Sequence, residues 1–206
     1  MSATRARAER VLALAALLAL ESGPAHAAPP AIATGVYDNT LLLAVDASGR
    51  VTGYFDMTQV GPPVIGCIFY LRGKVAGASA AIATYFPEDP KGDLITGQLA
   101  ATGPGKARIS LPTDHGGCLV IWPFADKQTP ADFELQHAEP WTSVRVVKAA
   151  KAYFSPTPGA PHGRAYIVKD DGVGVRATQN GWVQADFVGE TRTSSGWLKE
   201  TDLYPP

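Results

Sequence analysis

The feature that most constrains the fold is a series of short apolar runs between residues 40 and 137, each broken by a turn before a helix of ordinary length can form. Segments such as Gly61-Pro62-Pro63 and Gly103-Pro104-Gly105 supply the turns. The runs are residues 41–45, 51–58, 67–72, 80–86, 94–100, 107–111, 118–122 and 133–136. Residues 75–79 fit either a turn or one helical turn. The pattern predicts an all-β chain that begins with an antiparallel eight-stranded barrel or sandwich, since closure removes exposed strand edges.

The first residues have the features of an export signal. Arg5, Arg7 and Arg10 precede an apolar run over residues 11–20, and Ala25-His26-Ala27 follows with small residues at the two positions that a signal peptidase reads. The apolar run is half the length of about 20 residues that a membrane-spanning helix needs. We therefore expect a signal peptide over residues 1–27, cleavage near Ala27, no membrane anchor, and a periplasmic or secreted bacterial protein.

Charge is nearly balanced in the rest of the chain. The leader holds three of the 18 Lys and Arg residues and two of the 19 Asp and Glu residues, which leaves 15 against 17. No basic cluster interrupts this balance, so the chain lacks the electrostatic pattern of nucleic-acid binding.

Two cysteines, Cys67 and Cys118, lie beyond the leader and are separated by 51 residues. In an oxidising compartment such a pair is most simply a disulfide. The four residues before the second cysteine, Asp114-His115-Gly116-Gly117, have two interpretations. They form a tight turn that uses the freedom of glycine, or an exposed and disulfide-braced loop that binds a partner.

Catalytic and metal-binding patterns are missing from the sequence beyond residue 27. His115, His137 and His162 are scattered rather than paired, the two thiols are expected to be bridged, and no Gly-x-Ser-x-Gly elbow is present. We predict a non-enzyme without metal or cofactor.

The pattern restarts after Pro140, which disfavours a continued ladder. This divides the chain into residues 28–139 and residues 140–206. The second part has about five short runs, a loop with three prolines at residues 155–161, and two Gly-Trp pairs, Gly181-Trp182 and Gly196-Trp197. Over residues 143–204 it resembles a bacterial SH3-type domain. The resemblance implies a small barrel that binds peptidoglycan peptides or docks to another protein.

Aromatic residues of this second part are the candidates for a ligand groove. The resemblance points to Tyr153, Trp182 and Trp197, and Asp170 with Asp171 is suited to receive a peptide amine. The alternatives are that the tryptophans fill the core and that the acidic pair is a solvated turn. Because adjacent strand residues face opposite sides, Phe154 is expected inside and Tyr153 outside.

These features predict a non-catalytic periplasmic cell-envelope binding protein whose SH3-like domain recognises peptidoglycan or an envelope protein segment. The alternative is a periplasmic inhibitor or immunity protein that blocks a cell-wall hydrolase or toxin through the 114–117 loop. A third hypothesis is a small-ligand carrier with a cavity in the first barrel, near Phe55 and Phe69.

Overall fold

The computed structural model describes residues 31–59 and 61–206 of the 206-residue chain. The predicted signal peptide and its cleavage point at Ala27 lie outside these residues. Within the described ranges no helix is both long enough and apolar enough to cross a membrane.

The first part of the chain is a closed barrel of eight strands, as the turn pattern predicts. Its strands are β1 (Gly35–Tyr37), β2 (Leu41–Val45), β3 (Arg50–Gln59), β4 (Ile65–Ala76), β5 (Ser79–Tyr85), β6 (Ile95–Gly103), β7 (Lys106–Ser110) and β8 (Ala131–Ala138). Each strand pairs antiparallel with the next, and β8 pairs with β1 to close the sheet. No edge of this sheet is therefore left open.

The sequence prediction was wrong in one element of the barrel and missed another. Residues 118–122 were expected to form a strand, but Cys118–Ile121 is a single helical turn, α1, which follows Gly117 in a left-handed conformation (φ 82°). The eighth strand is instead β1, whose three residues are too short for an alternating pattern to show. Residues 75–79 end β4 and begin β5 through a tight turn rather than a helical one.

Aromatic side chains fill the interior of the barrel. Phe55, Phe69, Phe124 and Phe133 are at most 2% exposed, and their ring centroids lie 4.9–6.2 Å apart in contacting pairs. The long loop between β7 and β8 carries Phe124 into this cluster and closes one end of the barrel. This packing argues against the carrier hypothesis, because the rings occupy the space that a ligand would need.

The second part of the chain is a smaller all-β unit. Its strands are β9 (Ser143–Val146), β10 (Lys151–Tyr153), β11 (Tyr166–Val168), β12 (Gly172–Gln179), β13 (Trp182–Val188) and β14 (Thr193–Lys199), followed by a short 3₁₀ turn at Glu200–Asp202. A four-stranded sheet in the order β14-β13-β12-β9 and a two-stranded sheet of β10 and β11 share one apolar core. Whether this unit is an SH3-type domain stays a prediction.

The two parts are packed against each other through the outer wall of the barrel. Tyr54 and Tyr70 project outward from β3 and β4, and their hydroxyls donate to the carbonyls of Asp170 at 2.7 Å and Val144 at 2.9 Å. The Val144 amide donates to the Thr52 hydroxyl at 2.8 Å. Apolar side chains from both parts surround these bonds and form a separate buried cluster. The barrel thus serves as a platform for the small unit.

Candidate groove of the small unit

A groove of about 350 Å³ lies on the small unit, away from the barrel contact. Its lining comes from four places in the sequence, namely β10, the loop after it, the start of β13, and the end of β14 with the turn that follows. The lining residues are Tyr153, Ser155, Gly159, Ala160, Pro161, His162, Trp182, Lys199 and Asp202. Two of the aromatic residues predicted from the sequence, Tyr153 and Trp182, are therefore brought together.

Strand alternation places Tyr153 in the groove. Ala152 is fully buried, Phe154 is 6% exposed in the core, and Tyr153 is half-buried on the other face. This confirms the predicted orientation of the adjacent pair.

The ring of Tyr153 is part of an aromatic row. Its centroid lies 4.4 Å from that of His162 and 5.4 Å from that of Tyr166, its register partner on β11. The ammonium of Lys151 lies 4.4 Å above the Tyr166 ring, within the range of a cation–π contact. The rings are tilted against one another, and the row continues from the groove onto the exposed surface at Tyr166.

A tight hairpin turn places Trp182 on the opposite side. Asn180 and Gly181 both have positive φ, 50° and 77°, which is the geometry of a two-residue type I′ turn between paired Gln179 and Trp182. Trp182 is consequently the first residue of β13, and it lies directly across from Lys199 on β14. The Gly-Trp pair thus has a geometric reason, since glycine tolerates the left-handed conformation that the turn requires.

Two opposite charges line the groove near its aromatic walls. Among the described residues, no oppositely charged group lies within 4 Å of the Lys199 ammonium or the Asp202 carboxylate. Their neighbour Glu200, in contrast, contacts Arg145 at 3.4 Å. The groove therefore offers both a cation and an anion to a ligand.

Trp197 has a different place from the one predicted. It does not line the groove; its backbone N–H and C=O exchange 2.8 Å hydrogen bonds with Ser155, which fixes the start of the 155–161 loop to β14. The Trp197 side chain is half-buried and is not part of the buried core of the small unit, so the core alternative does not describe it either, and its backbone is what anchors the loop.

The acidic pair is also separate from the groove. The Asp170 carbonyl accepts the Tyr54 hydroxyl, and an Asp171 carboxylate oxygen accepts the Val168 amide at 2.7 Å. Both residues form the turn that meets the barrel, where burial raises the pKa of each carboxyl above its usual range. Asp170 and Asp171 therefore do not line the groove with Tyr153 and Trp182, although the four residues were expected to bind the same ligand.

The loop of residues 114–117 is tied into the barrel end. Asp114 accepts hydrogen bonds from the amides of Phe124 at 2.6 Å and Ala125 at 3.1 Å. His115 is only 3% exposed and stacks on Phe69 with a centroid distance of 5.2 Å. Gly116 is exposed, while Gly117 lies against the backbone of Gly66. The expectation that His115 is presented to a partner is therefore wrong, because the ring belongs to the core.

The predicted disulfide is present. Cys67 on β4 and Cys118 at the start of α1 are joined, and both are fully buried.

Sequence reasoning missed His162, Lys199 and Asp202 as groove residues. His162 follows the proline-containing loop, Lys199 ends β14, and Asp202 is the last residue of the 3₁₀ turn. Nothing in their local sequence distinguishes them from ordinary surface polar residues. The pairing of β13 with β14 brings Lys199 beside Trp182, and the loop after β10 brings His162 to the same groove. Among the described residues, no three His, Cys, Asp or Glu side chains are grouped so as to hold a metal ion.

Comparison of the chain with protein-family models, with curated proteins and with solved structures gives no match in any of the three. The groove must therefore be interpreted from its own chemistry.

Proposed function

We propose that this chain is a non-catalytic binding protein of the bacterial cell envelope, and that the groove of its small unit holds a short peptide of peptidoglycan or of an envelope protein. The observation that carries the proposal is the convergence of Tyr153, His162 and Trp182 with the free charges of Lys199 and Asp202.

The aromatic residues suit a peptide ligand. Flat rings provide a large contact area and lose little conformational entropy on binding, since each has only two side-chain torsions. The Tyr153 ring is already held by its contacts with His162 and Tyr166, and strand pairing fixes the backbone from which Trp182 projects. Preorganised walls of this kind lower the entropic cost of binding.

The two charges suit a ligand that carries both an ammonium and a carboxylate. Asp202 would receive the ammonium and Lys199 the carboxylate, and each pairing would form a charge-assisted hydrogen bond. Stem peptides of peptidoglycan and chain termini of proteins both have this combination. An apolar ligand would leave the two charges without partners and is disfavoured.

Hydrolysis is disfavoured by the way in which the polar residues are engaged. Ser155, His162 and Asp202 all line the groove and are the three residue types of a serine hydrolase triad. Catalysis requires hydrogen bonds from the serine to the histidine and from the histidine to the aspartate. The His162 Nδ1 bonds instead to the carbonyl of Gly163 at 2.8 Å, and among the described residues no hydrogen bond links its ring to the other two. Binding is therefore the simpler use of the groove.

The proposed compartment follows from two features. The Cys67–Cys118 bridge supports an oxidising environment, where disulfides persist. The basic and apolar start of the chain, with its Ala25-His26-Ala27 pattern, supports export to the periplasm or beyond.

Co-sedimentation with purified peptidoglycan sacculi tests the proposal, together with calorimetric titration of soluble stem peptides. The wild-type protein should pellet with sacculi, and Trp182→Ala should weaken binding by about tenfold or more, the loss typical of an aromatic residue central to an interface. Lys199→Gln should weaken it less and reduce its salt dependence.

Val168→Ala is the matched control, since Val168 is an exposed apolar residue of the same unit that does not line the groove. It should bind like the wild type. Absence of binding to sacculi, to stem peptides and to peptides with free termini would contradict the proposal, and release of soluble fragments from sacculi would show that the protein is an enzyme.

A further inference from the structure

The helical turn α1 presents two large apolar side chains to solvent at the loop end of the barrel. Leu119 is 71% exposed and Val120 is 65% exposed. Val64, in the loop before β4, is 70% exposed. All three lie within three residues of the Cys67–Cys118 bridge, and we call them the apolar tip.

Folding does not require these residues to be apolar. In one helical turn, Cys118 and Ile121 are three positions apart and share a face, and both point toward the barrel core. Leu119 and Val120 occupy the opposite face, where a polar residue would satisfy the fold equally well. Single exposed apolar side chains are common, but a cluster of them that the fold does not need is typical of an interaction surface.

The apolar tip is held rigidly. The disulfide joins α1 to β4, and Gly117 approaches the carbonyl of Gly66 so closely that a Cβ atom would lie 2.0 Å from that oxygen. The carboxylate of Asp114, before α1, accepts hydrogen bonds from the amides of Phe124 and Ala125, which follow α1. A surface that is fixed before binding loses little entropy when it docks.

Acidic residues outnumber basic ones at the end of the barrel that carries the apolar tip. Two of the loops at this end, residues 86–94 and 111–130, carry more carboxylates without an ion-pair partner than ammonium groups. The carboxylates are those of Asp89, Asp93, Asp114 and Asp126, and the ammonium groups are those of Lys91 and Lys127, while Glu88 is paired with Lys169. The negative balance opposes contact with the same tip of a second copy and with an anionic membrane. It favours a positively charged protein.

We propose that the apolar tip docks into an apolar pocket with a basic rim on a second, positively charged protein. The interaction is independent of the groove, because the two surfaces share no residue. Leu119 and Val120 enter the pocket, and the carboxylates at this end of the barrel steer the encounter and pair with the rim.

The test uses the immobilised wild-type protein, and variants of it, with an extract of bacterial envelope proteins. Retained proteins are identified, purified and titrated against each variant by calorimetry. Leu119→Asp removes the apolar contact, Asp93→Lys reverses part of the rim charge, and Val168→Asp is the matched control on the small unit. None of the three side chains is buried, so all variants should have the melting temperature of the wild type.

Support requires a basic protein that forms a 1:1 complex with the wild type, with affinity that falls as salt rises. Leu119→Asp should weaken it by about tenfold or more and Asp93→Lys by less, while the control should bind normally. Three results would overturn the proposal, namely that no retained protein depends on Leu119, that Leu119-dependent binding is to phosphatidylglycerol vesicles, or that it is self-association in the ultracentrifuge.

Discussion

The carboxylate of Asp186 gives the most quantitative prediction. Asp186 lies on β13 and is 1% exposed. It accepts hydrogen bonds from the indole N–H of Trp141 at 2.8 Å, the Ser195 hydroxyl at 2.6 Å, and the Arg176 guanidinium. Because Trp141 belongs to the segment between barrel and small unit, this network fixes that segment to the sheet that carries Trp182.

The expected cost of Asp186→Ala follows from what it leaves unpaired. Trp141 is 3% exposed, so its indole N–H would be left buried without an acceptor, at a cost of about 1–3 kcal/mol. Breaking a buried ion pair costs about 3–5 kcal/mol. Arg176 is 41% exposed, so its guanidinium can be hydrated once Asp186 is removed, and this lowers the cost of losing the ion pair. We expect a loss of roughly 3 kcal/mol in unfolding free energy. Asp186→Asn keeps an acceptor oxygen for Trp141 and Arg176 and offers its amide to Ser195, so it should cost only about 1 kcal/mol.

The two substitutions also differ from the wild type in their response to pH. Burial by itself would raise the pKa of Asp186, but the hydrogen bonds from Ser195, Arg176 and Trp141 outweigh it and hold the pKa below its usual value. Stability from a lowered carboxyl pKa is present above the unfolded value of about 3.9 and is lost as the pH falls below it. The difference in unfolding free energy between the wild type and Asp186→Asn should therefore become smaller at acid pH.

Urea unfolding followed by circular dichroism measures these effects. The control is Asp132→Ala, which removes an equally short ion pair with Arg108 at 2.6 Å; because the side chains of that pair are 49% and 39% exposed, the loss should stay below about 1 kcal/mol. If Asp186→Ala costs no more than this control, or as little as Asp186→Asn, the reasoning from buried unpaired groups is refuted.

Two further predictions concern the loop end of the barrel. Replacing Cys67 and Cys118 with Ala should lower the unfolding free energy by about 4 kcal/mol, the loop-entropy value for a separation of 51 residues, and a loss under about 1 kcal/mol in urea unfolding would contradict it. Burial lowers the pKa of His115 below its usual value. The unfolded chain then binds the proton more readily, so the melting temperature should fall as the pH drops below about 6.5. The melting temperature of His115→Asn should fall less over the same pH range. Parallel curves of melting temperature against pH for the wild type and His115→Asn would show that His115 does not cause the fall.

The neutral state of His115 has a structural reason. The Thr84 hydroxyl donates to the Ile95 carbonyl at 3.0 Å, so the His115 Nε2–H donates to the Thr84 oxygen at 2.8 Å. Nδ1 is buried, and among the described residues it has no hydrogen-bond partner. Protonation would therefore place a charged donor in an apolar site between Phe69 and Phe86.

The barrel was predictable because its information is local. Each hairpin has its own turn chemistry. At Gly49 and Gly105, for example, the turn needs a residue with positive φ, and the sequence has glycine at that position. The strand predicted at residues 118–122 was wrong for a non-local reason. Cys-Leu-Val-Ile has strand propensity, but the bridge to Cys67 and the close approach of Gly117 to Gly66 hold these residues at the end of the barrel, where they form a helical turn.

The candidate groove was only partly predictable for the same reason. Tyr153 and Trp182 were predicted from the resemblance to SH3-type domains, which also pointed to Trp197, a residue that does not line the groove. Asp186 was missed, since a polar residue in an alternating run is normally solvent-facing, and its partner Trp141 is 45 residues away. Contacts between residues so far apart in the sequence depend on how strands and sheets pack, and the sequence of a single strand does not predict them.

The same kind of packing between sheets fixes the small unit on the barrel. Tyr54 and Tyr70 would be exposed on an isolated barrel, but here each is buried and its hydroxyl is paired across the contact. Separating the two parts would expose these rings and leave the Val144 amide without the Thr52 hydroxyl. Each such loss is unfavourable, so the groove keeps a constant position relative to the barrel. Under the two proposals above, a ligand bound at Trp182 and a partner docked at Leu119 would then be held at a set distance from each other by the contact between the barrel and the small unit.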